Sequence, residues 1–145
     1  MPMTSFKIDS RLEQDSVALG RYGFCELRLM DDARWPWLLL VPPRAGLEEI
    51  FDPTSDEQIQ ITRETALAAR SLKNLTGCEK INTGALGNMV RQLHVHVIAR
   101  NSDDENWPGP VWGHGSRQPY QPDYLRIFRE KLIEECMLDR EFQRV

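Results

Sequence analysis

Polar and apolar residues alternate strictly from Gln92 to Ile98, and this alternation indicates a half-buried strand. Successive side chains leave a strand on opposite faces, so one face carries apolar residues and the other carries polar ones. The apolar residues are Leu93, Val95 and Val97, and the polar residues are Gln92, His94 and His96. Residues two apart lie roughly 6.6 Å apart along a strand, so the two imidazoles can contact one small anionic group.

Four further stretches are predicted to be strands. They are Phe6 to Ile8, Tyr22 to Met30, Trp35 to Val41 and Cys78 to Asn82. The apolar run that ends before Pro42 is typical of a strand buried on both faces. The turn residues from Asp31 to Arg34 join it to the preceding strand, and we expect these two strands to form a hairpin.

Two substantial helices are predicted. Thr54 to Glu57 has the form of a capping box, and a long packing helix follows that stops at Gly77. Its predicted apolar stripe comprises Ile59, Thr62, Ala66, Ala69, Leu72 and Leu75. A C-terminal helix begins after Pro122-Asp123 and runs to about Leu138, and Leu12 to Leu19 forms a helical turn or two. Asn101 to Pro122 shows neither the helical spacing of apolar residues nor the alternation of a strand. It is predicted to be an ordered loop whose tryptophans pack against the protein.

Composition narrows the class of protein. The 145 residues fit one domain, with 41% hydrophobic and 28% charged residues, and the net charge of −4 disfavours binding to long nucleic acid. No apolar run approaches the roughly 20 residues of a membrane span, and no secretory signal is visible, so we expect a cytoplasmic protein. The three scattered cysteines are predicted to be reduced and buried.

A glycine-containing turn, Gly84 to Asn88, precedes the histidine strand. Glycines let backbone N–H groups converge on an anion, so the turn and the two imidazoles together favour phosphate chemistry. Two other interpretations stay open. In the first, the histidines are a purely structural pair. In the second, they belong to a metal site, for which only His114 and isolated cysteines or carboxylates offer a third ligand.

The stretch from Gln92 to Ile98 resembles the motif of the histidine triad (HIT) superfamily of nucleotide hydrolases and transferases, His-x-His-x-His followed by apolar residues. Trp37 to Pro42 resembles the apolar strand of that family, and the likeness extends over roughly Phe24 to Arg100. The resemblance implies an α+β fold with an antiparallel sheet, in a single domain over residues 1–145. It also implies a homodimer and a nucleotide as the small-molecule partner.

The resemblance further implies cleavage at the α-phosphorus of a nucleoside phosphate derivative, a dinucleoside polyphosphate or a phosphoramidate. His94 takes the position of the nucleophile that forms a covalent nucleotidyl-histidine, and His96 takes the position that contacts phosphate oxygens and the leaving group. An imidazole with an ordinary pKa of about 6.5 suits this chemistry, because its neutral form has a free lone pair at neutral pH. No cofactor is expected, although a divalent metal can accompany the nucleotide.

Five residues are the candidates for substrate binding: Gln92, Asn88, Gly87, Asn82 and Asp31. Asp31 matches the family position that binds ribose hydroxyls, and Asp32 is the alternative. Gln92 replaces the first histidine of the motif, and its amide can donate and accept hydrogen bonds but does not titrate near neutral pH. The alternative function is therefore a nucleotide-binding or regulatory protein with weak catalysis.

Three other sets of residues receive structural interpretations. Most of the tryptophans are expected to pack in the core or at an interface. Arg91 and Arg100 are expected to be solvated strand ends, and His114 is not expected to belong to the catalytic set.

Overall fold

The computed structural model describes residues 5–145, which form a six-stranded antiparallel sheet and three helices. The strands are β1 (Ser16–Arg21), β2 (Glu26–Met30), β3 (Trp37–Val41), β4 (Lys80–Gly84), β5 (Val95–Arg100) and β6 (Gln143–Arg144). The helices are α1 (Ser10–Asp15), α2 (Ser55–Thr76) and α3 (Pro122–Cys136). This arrangement confirms the predicted α+β class with one long packing helix and a C-terminal helix.

The sheet has the strand order β4-β5-β3-β2-β1-β6, and every neighbouring pair is antiparallel. The predicted hairpin is confirmed, because β2 pairs directly with β3. In the centre of the sheet, Leu39 of β3 lies opposite His96 of β5. The histidine strand is therefore a central strand of the sheet.

Helix α2 begins and ends as the sequence predicts. The Thr54 side chain accepts from the Glu57 N–H, the Glu57 carboxylate accepts from the Thr54 N–H, and Gly77 ends the helix with a φ of 66°. The predicted apolar stripe was wrong in its first half, since Ile59 is 68% exposed, whereas Leu72 is buried and Leu75 packs against the core. The buried residues are Ile61, Glu64, Leu67, Ala68, Ser71 and Leu72. Glu64 is buried because its carboxylate accepts from the backbone N–H groups of Phe24 and Cys25, just before β2, and an apolar pattern cannot reveal these contacts.

The two faces of the sheet are covered by different parts of the chain. Helices α2 and α3 cover one face, where Leu38, Leu40, Val95 and Val97 join the main core. A smaller cluster covers the opposite face: Leu12, Trp35, Trp37, Leu39, Val41, Ile98 and Val111. All six residues of β5 are consequently buried, so the expectation of a half-buried strand was wrong.

Several predicted boundaries were also wrong. Phe6 to Ile8 forms no strand, and the predicted helical stretch from Leu12 to Leu19 is divided between α1 and β1. β4 begins two residues later than predicted, and β5 begins only at Val95. Residues 101–121 contain no helix or strand, as predicted. Within residues 5–145, no helix combines the length and the apolar character needed to cross a membrane.

Candidate active site

A cavity of about 560 Å³ opens on the face of the sheet opposite α2. His94 and His96 line it, together with Gly87 and Asn88 from the turn between β4 and β5. The structure thus brings four of the predicted site residues together. The other walls come from α1, from the turn after β2 and from residues 111–117 of the long loop.

His94 immediately precedes β5, and its side chain is 6% exposed. Its Nδ1 lies 2.7 Å from the backbone carbonyl oxygen of Gln92. A carbonyl oxygen only accepts, so Nδ1 carries the proton and donates it. In the neutral ring the lone pair is therefore on Nε2, which is the nitrogen left for a ligand in the cavity.

His96 carries the opposite arrangement of ring protons. The indole Nε1 of Trp37 lies 2.9 Å from its Nδ1, and an indole N–H only donates. Nδ1 of His96 therefore accepts, and the proton of the neutral ring is on Nε2. Burial, together with the neighbouring His94, lowers the pKa of His96 to about 3. The neutral form, with Nε2–H as a donor, is thus the form present near neutral pH.

The two imidazoles lie edge to face, with ring centroids 4.8 Å apart. On the far side of His96, the Trp112 ring lies 5.4 Å away, also edge to face. Gly84 of β4 is the cross-strand neighbour of His96, and a Cβ at this glycine would lie 3.0 Å from the Trp112 ring. The missing side chain at Gly84 therefore makes the space in which Trp112 packs beside His96.

The turn between β4 and β5 reaches the cavity through Gly87 and Asn88. Gly87 has a φ of +77°, a backbone conformation that favours glycine. The turn is anchored to α1, because the Arg11 guanidinium donates to the Met89 carbonyl at 2.8 Å. A cationic side chain thus stands beside the predicted phosphate-binding turn.

Gln92 does not line the main cavity. Its amide Nε2 donates to the Lys7 carbonyl at 2.9 Å, and its Oε1 accepts from the Asp9 N–H at 2.9 Å. These two hydrogen bonds tie Gln92 to the segment that leads into α1. Gln92 also lines a small neighbouring pocket with Gly87 and His94, and its role in substrate binding stays a prediction. The sequence holds no signal for these contacts, because the partners are 83 and 85 residues away.

The structure also separates the two aspartates proposed for ribose. Asp31 lies outside the cavity lining, and its Oδ1 accepts from the Tyr120 N–H at 2.9 Å. Asp32 lines the cavity but is only 2% exposed. Both of its oxygens accept from Arg34, at 3.0 Å from Nε and 2.8 Å from Nη2.

Asn82 and Arg100 lie together below the long loop. The Asn82 Oδ1 accepts from the Arg100 guanidinium at 3.0 Å, and Asn82 does not line the cavity. Arg100 is 1% exposed and also pairs with Asp104 at 2.8 Å, so the expectation that it is a solvated strand end was wrong. Arg91 is 74% exposed, as expected of a strand end. The buried guanidinium holds the first part of the loop against the sheet.

Sequence reasoning missed several charged residues of the cavity wall. They are Arg11, Asp15, Arg34 and Arg117. His114 had been placed outside the catalytic set, and it stands at the wall with its Nε2 at 3.7 Å from Glu105. The only sequence signal for this wall was the length and tryptophan content of the loop. Across residues 5–145, no three or more His, Cys, Asp or Glu side chains are grouped so as to hold a metal ion.

Comparison with known families and proteins gives consistent results. A family model described as the HIT domain matches residues 11–103. The AP-4-A phosphorylase of Mycobacterium tuberculosis is 30% identical over 125 residues, which are 82% of this chain and 61% of that protein. The chain thus spans about three fifths of the length of this curated relative.

Solved structures with a similar fold include three histidine triad proteins. The protein from Sinorhizobium meliloti is 54% identical with a TM-score of 0.88, and the match covers 92% of this chain and 99% of that one. The protein from Bradyrhizobium japonicum is 38% identical with a TM-score of 0.88 and the same coverage of 92% and 99%. The protein from Marinobacter aquaeolei is 36% identical with a TM-score of 0.89, covering 93% and 98%.

Proposed function

The chain belongs to the HIT domain family, and from that premise we propose that it is a nucleotide hydrolase or nucleotidyl transferase. Its reaction is at the α-phosphorus of a dinucleoside polyphosphate or a nucleoside phosphoramidate. The observation that carries the proposal is the hydrogen bond from His94 Nδ1–H to the Gln92 carbonyl, because it leaves the Nε2 lone pair free beside the Gly87-Asn88 turn.

In the first step the His94 Nε2 lone pair attacks the α-phosphorus. The bond between phosphorus and the leaving group breaks, and its electron pair leaves with that group. The ring becomes cationic, and the Gln92 carbonyl that accepts from Nδ1–H stabilises the positive charge. His96 Nε2–H donates to the leaving group, and the Asn88 amide and the backbone N–H groups of the turn donate to the nonbridging oxygens.

In the second step an acceptor oxygen attacks the phosphorus of the nucleotidyl-histidine. The N–P bond breaks and returns its electron pair to Nε2, which regenerates the neutral ring. Water as acceptor loses one proton to the solvent and gives hydrolysis, whereas phosphate as acceptor gives phosphorolysis, the activity in the name of the Mycobacterium tuberculosis relative. A homodimer, and a divalent metal accompanying the nucleotide, stay predictions.

The test is the intact mass of the protein after brief exposure to diadenosine tetraphosphate (AP-4-A). The reaction is quenched in alkaline denaturant, because N–P bonds are acid-labile. We expect one adenylyl group on the wild-type protein, mapped to His94. The His94→Asn variant should show no adduct and lose turnover by at least about 10⁴-fold, as expected for removal of a nucleophile.

His114→Asn is the matched control, because it removes another imidazole of the same cavity wall and should still form the adduct. An adduct on any residue other than His94, or full turnover by His94→Asn, would contradict the proposal. Tight nucleotide binding with neither adduct nor turnover would instead support the alternative, a nucleotide-binding or regulatory protein that keeps this fold.

A further inference from the structure

Trp37 is the residue that determines which nitrogen of His96 carries a proton. Its indole N–H reaches His96 Nδ1 at 2.9 Å from the neighbouring strand β3. Trp37 is 7% exposed and packs edge to face against the fully buried Trp35, with ring centroids 6.2 Å apart. Burial and this ring contact hold the indole against the imidazole.

The protonated form of His96 conflicts with this contact. An imidazolium carries N–H at both nitrogens, and its Nδ1–H would face the indole N–H at a heavy-atom distance of 2.9 Å. Two donors at that distance repel each other. His94 on one side and Trp112 on the other restrict rotation of the ring. His96 therefore presents Nε2–H as a hydrogen-bond donor, and it is not an acid that transfers its proton near neutral pH.

We propose that Trp37 is a specificity-determining positioning residue, which keeps His96 neutral and thereby restricts the site to phosphoanhydrides in preference to phosphoramidates. The inference rests on the proposed function, because it concerns the leaving group of the same reaction. It selects one of the two substrate classes that the proposed function includes.

The proton balance of the two reactions explains the preference. In an anhydride, the bond between His94 Nε2 and phosphorus forms, and the bond from phosphorus to the bridging oxygen breaks. The electron pair stays on a phosphate oxygen that is stable as an anion. His96 Nε2–H donates a hydrogen bond to that departing oxygen without transferring its proton. In a phosphoramidate, the P–N bond breaks and the departing nitrogen must gain a proton to leave as an amine, so a general acid is required.

Two carboxylates of the cavity wall are paired with arginines. The Asp32 carboxylate is paired with Arg34, and Asp15 lies 3.6 Å from Arg117. His114 Nε2 faces Glu105 at 3.7 Å, and His114 is the group that the experiment must test separately as an acid.

The experiment compares kcat/KM for diadenosine tetraphosphate and adenosine 5′-phosphoramidate. The wild-type protein should favour the anhydride by at least about 10²-fold, the contribution typical of a general acid. Trp37→Phe keeps an aromatic ring but loses the N–H donor, and the preference should shrink by about tenfold, the effect of losing one hydrogen bond. Trp35→Phe is the matched control, since its lost N–H donates to the Glu105 carbonyl, and it should keep the preference. His114→Asn should also keep it.

A spectroscopic measurement reads the contact independently of turnover. Nitrogen NMR of ¹⁵N-histidine-labelled protein should show His96 with a bare Nδ1 and a protonated Nε2 in the wild type and in Trp35→Phe. Trp37→Phe should show a mixture of tautomers. A protonated Nδ1 in the wild type would overturn the inference. Equal rates on the two substrates would also overturn it, whereas absence of the His94 adduct would overturn the proposed function.

Discussion

His94 and His96 have the same side chain but carry their ring proton on different nitrogens, because one hydrogen-bonds to an obligate acceptor and the other to an obligate donor. His94 donates to a carbonyl and keeps a lone pair, whereas His96 accepts from an indole and keeps a donor. The sequence places both residues on one face of a strand but cannot distinguish their tautomers. The distinction arises from the Gln92 backbone and from Trp37, whose side chain the sequence suggested only as packing material.

The buried pair of Asp32 and Arg34 yields a prediction at the scale of single residues. Asp32→Asn should lower the free energy of unfolding by about 3 kcal/mol, because Arg34, with a side chain 6% exposed, loses its counter-charge. Urea unfolding measures this loss. The double variant Asp32→Asn with Arg34→Met should recover part of the stability, because no unpaired buried charge remains.

The same variant tests the ribose assignment. Since both oxygens of Asp32 already accept from Arg34, we expect Asp32→Asn to have the same selectivity between adenosine and 2′-deoxyadenosine substrates as the wild type. Normal stability together with lost selectivity for the ribose substrate would show that Asp32 binds the sugar.

Sequence reasoning located the histidines and the glycine turn because their signals are local. Gly87 and Asn88 are adjacent in the chain, and His94 and His96 are two apart. It did not reveal that the side chains of Gln92, Asn82 and Asp31 bind groups 83, 18 and 89 residues away. No local pattern encodes such partners, and each of these side chains is engaged by the protein itself.

At the scale of elements, the segment that leads into α1 is held in place by Gln92. Gln92→Met keeps the approximate size of the side chain and removes both hydrogen bonds to Lys7 and Asp9. Hydrogen exchange of the Asp9 backbone amide should become about tenfold faster, because each bond contributes about 1 kcal/mol. KM should rise more than kcat falls, since α1 carries Arg11 and Leu12 to the cavity wall.

Gln58→Met provides the control for this variant. It also removes a hydrogen bond from a glutamine amide to a backbone carbonyl, that of Pro53, but it lies in α2. In Gln58→Met, the rate of hydrogen exchange at the Asp9 backbone amide and the KM should match those of the wild type. Unchanged exchange at Asp9 in Gln92→Met would show that the amide does not hold the segment.

The elements differed in how well their sequences predict them. α2 has a capping box and a terminal glycine, and β3 is an uninterrupted apolar run, so both were predicted closely. The stretch from Phe6 to Leu19 has neither signal, and its course is set by contacts with the distant Gln92 and with β2. Similarly, β5 is buried on both faces only because the long loop and α1 add a second layer.

At the scale of the whole molecule, His96 makes stability depend on pH. Its pKa is about 3 in the folded protein and returns to about 6.5 on unfolding. Between these values the unfolded chain binds a proton that the folded chain does not, so the free energy of unfolding falls as the pH falls. The slope contributed by His96 is at most about 1.4 kcal/mol per pH unit, and it vanishes above the ordinary pKa.

Urea unfolding of the wild type and His96→Asn between about pH 7 and about pH 5 measures this contribution, above the ordinary range of carboxyl groups. The wild type should lose more stability over this interval than the variant, because an asparagine side chain does not titrate. His114 and the acids are common to both proteins, and the difference between the two proteins therefore reports His96 together with its coupling to the adjacent His94. An equal loss in the two proteins would show that the pKa of His96 is not lowered by folding.

The position of His96 on a central strand limits how the length of this chain can change. Side chains alternate between the two faces of β5, so one extra residue between Val95 and His96 would turn the imidazole toward the helices and bring an apolar side chain into the cavity. Residues 101–121 contain no strand, so an insertion or deletion in this loop does not move side chains from one face of the sheet to the other. Insertions and deletions among descendants of this protein will therefore accumulate in the loop, while the spacing of the two histidines stays fixed.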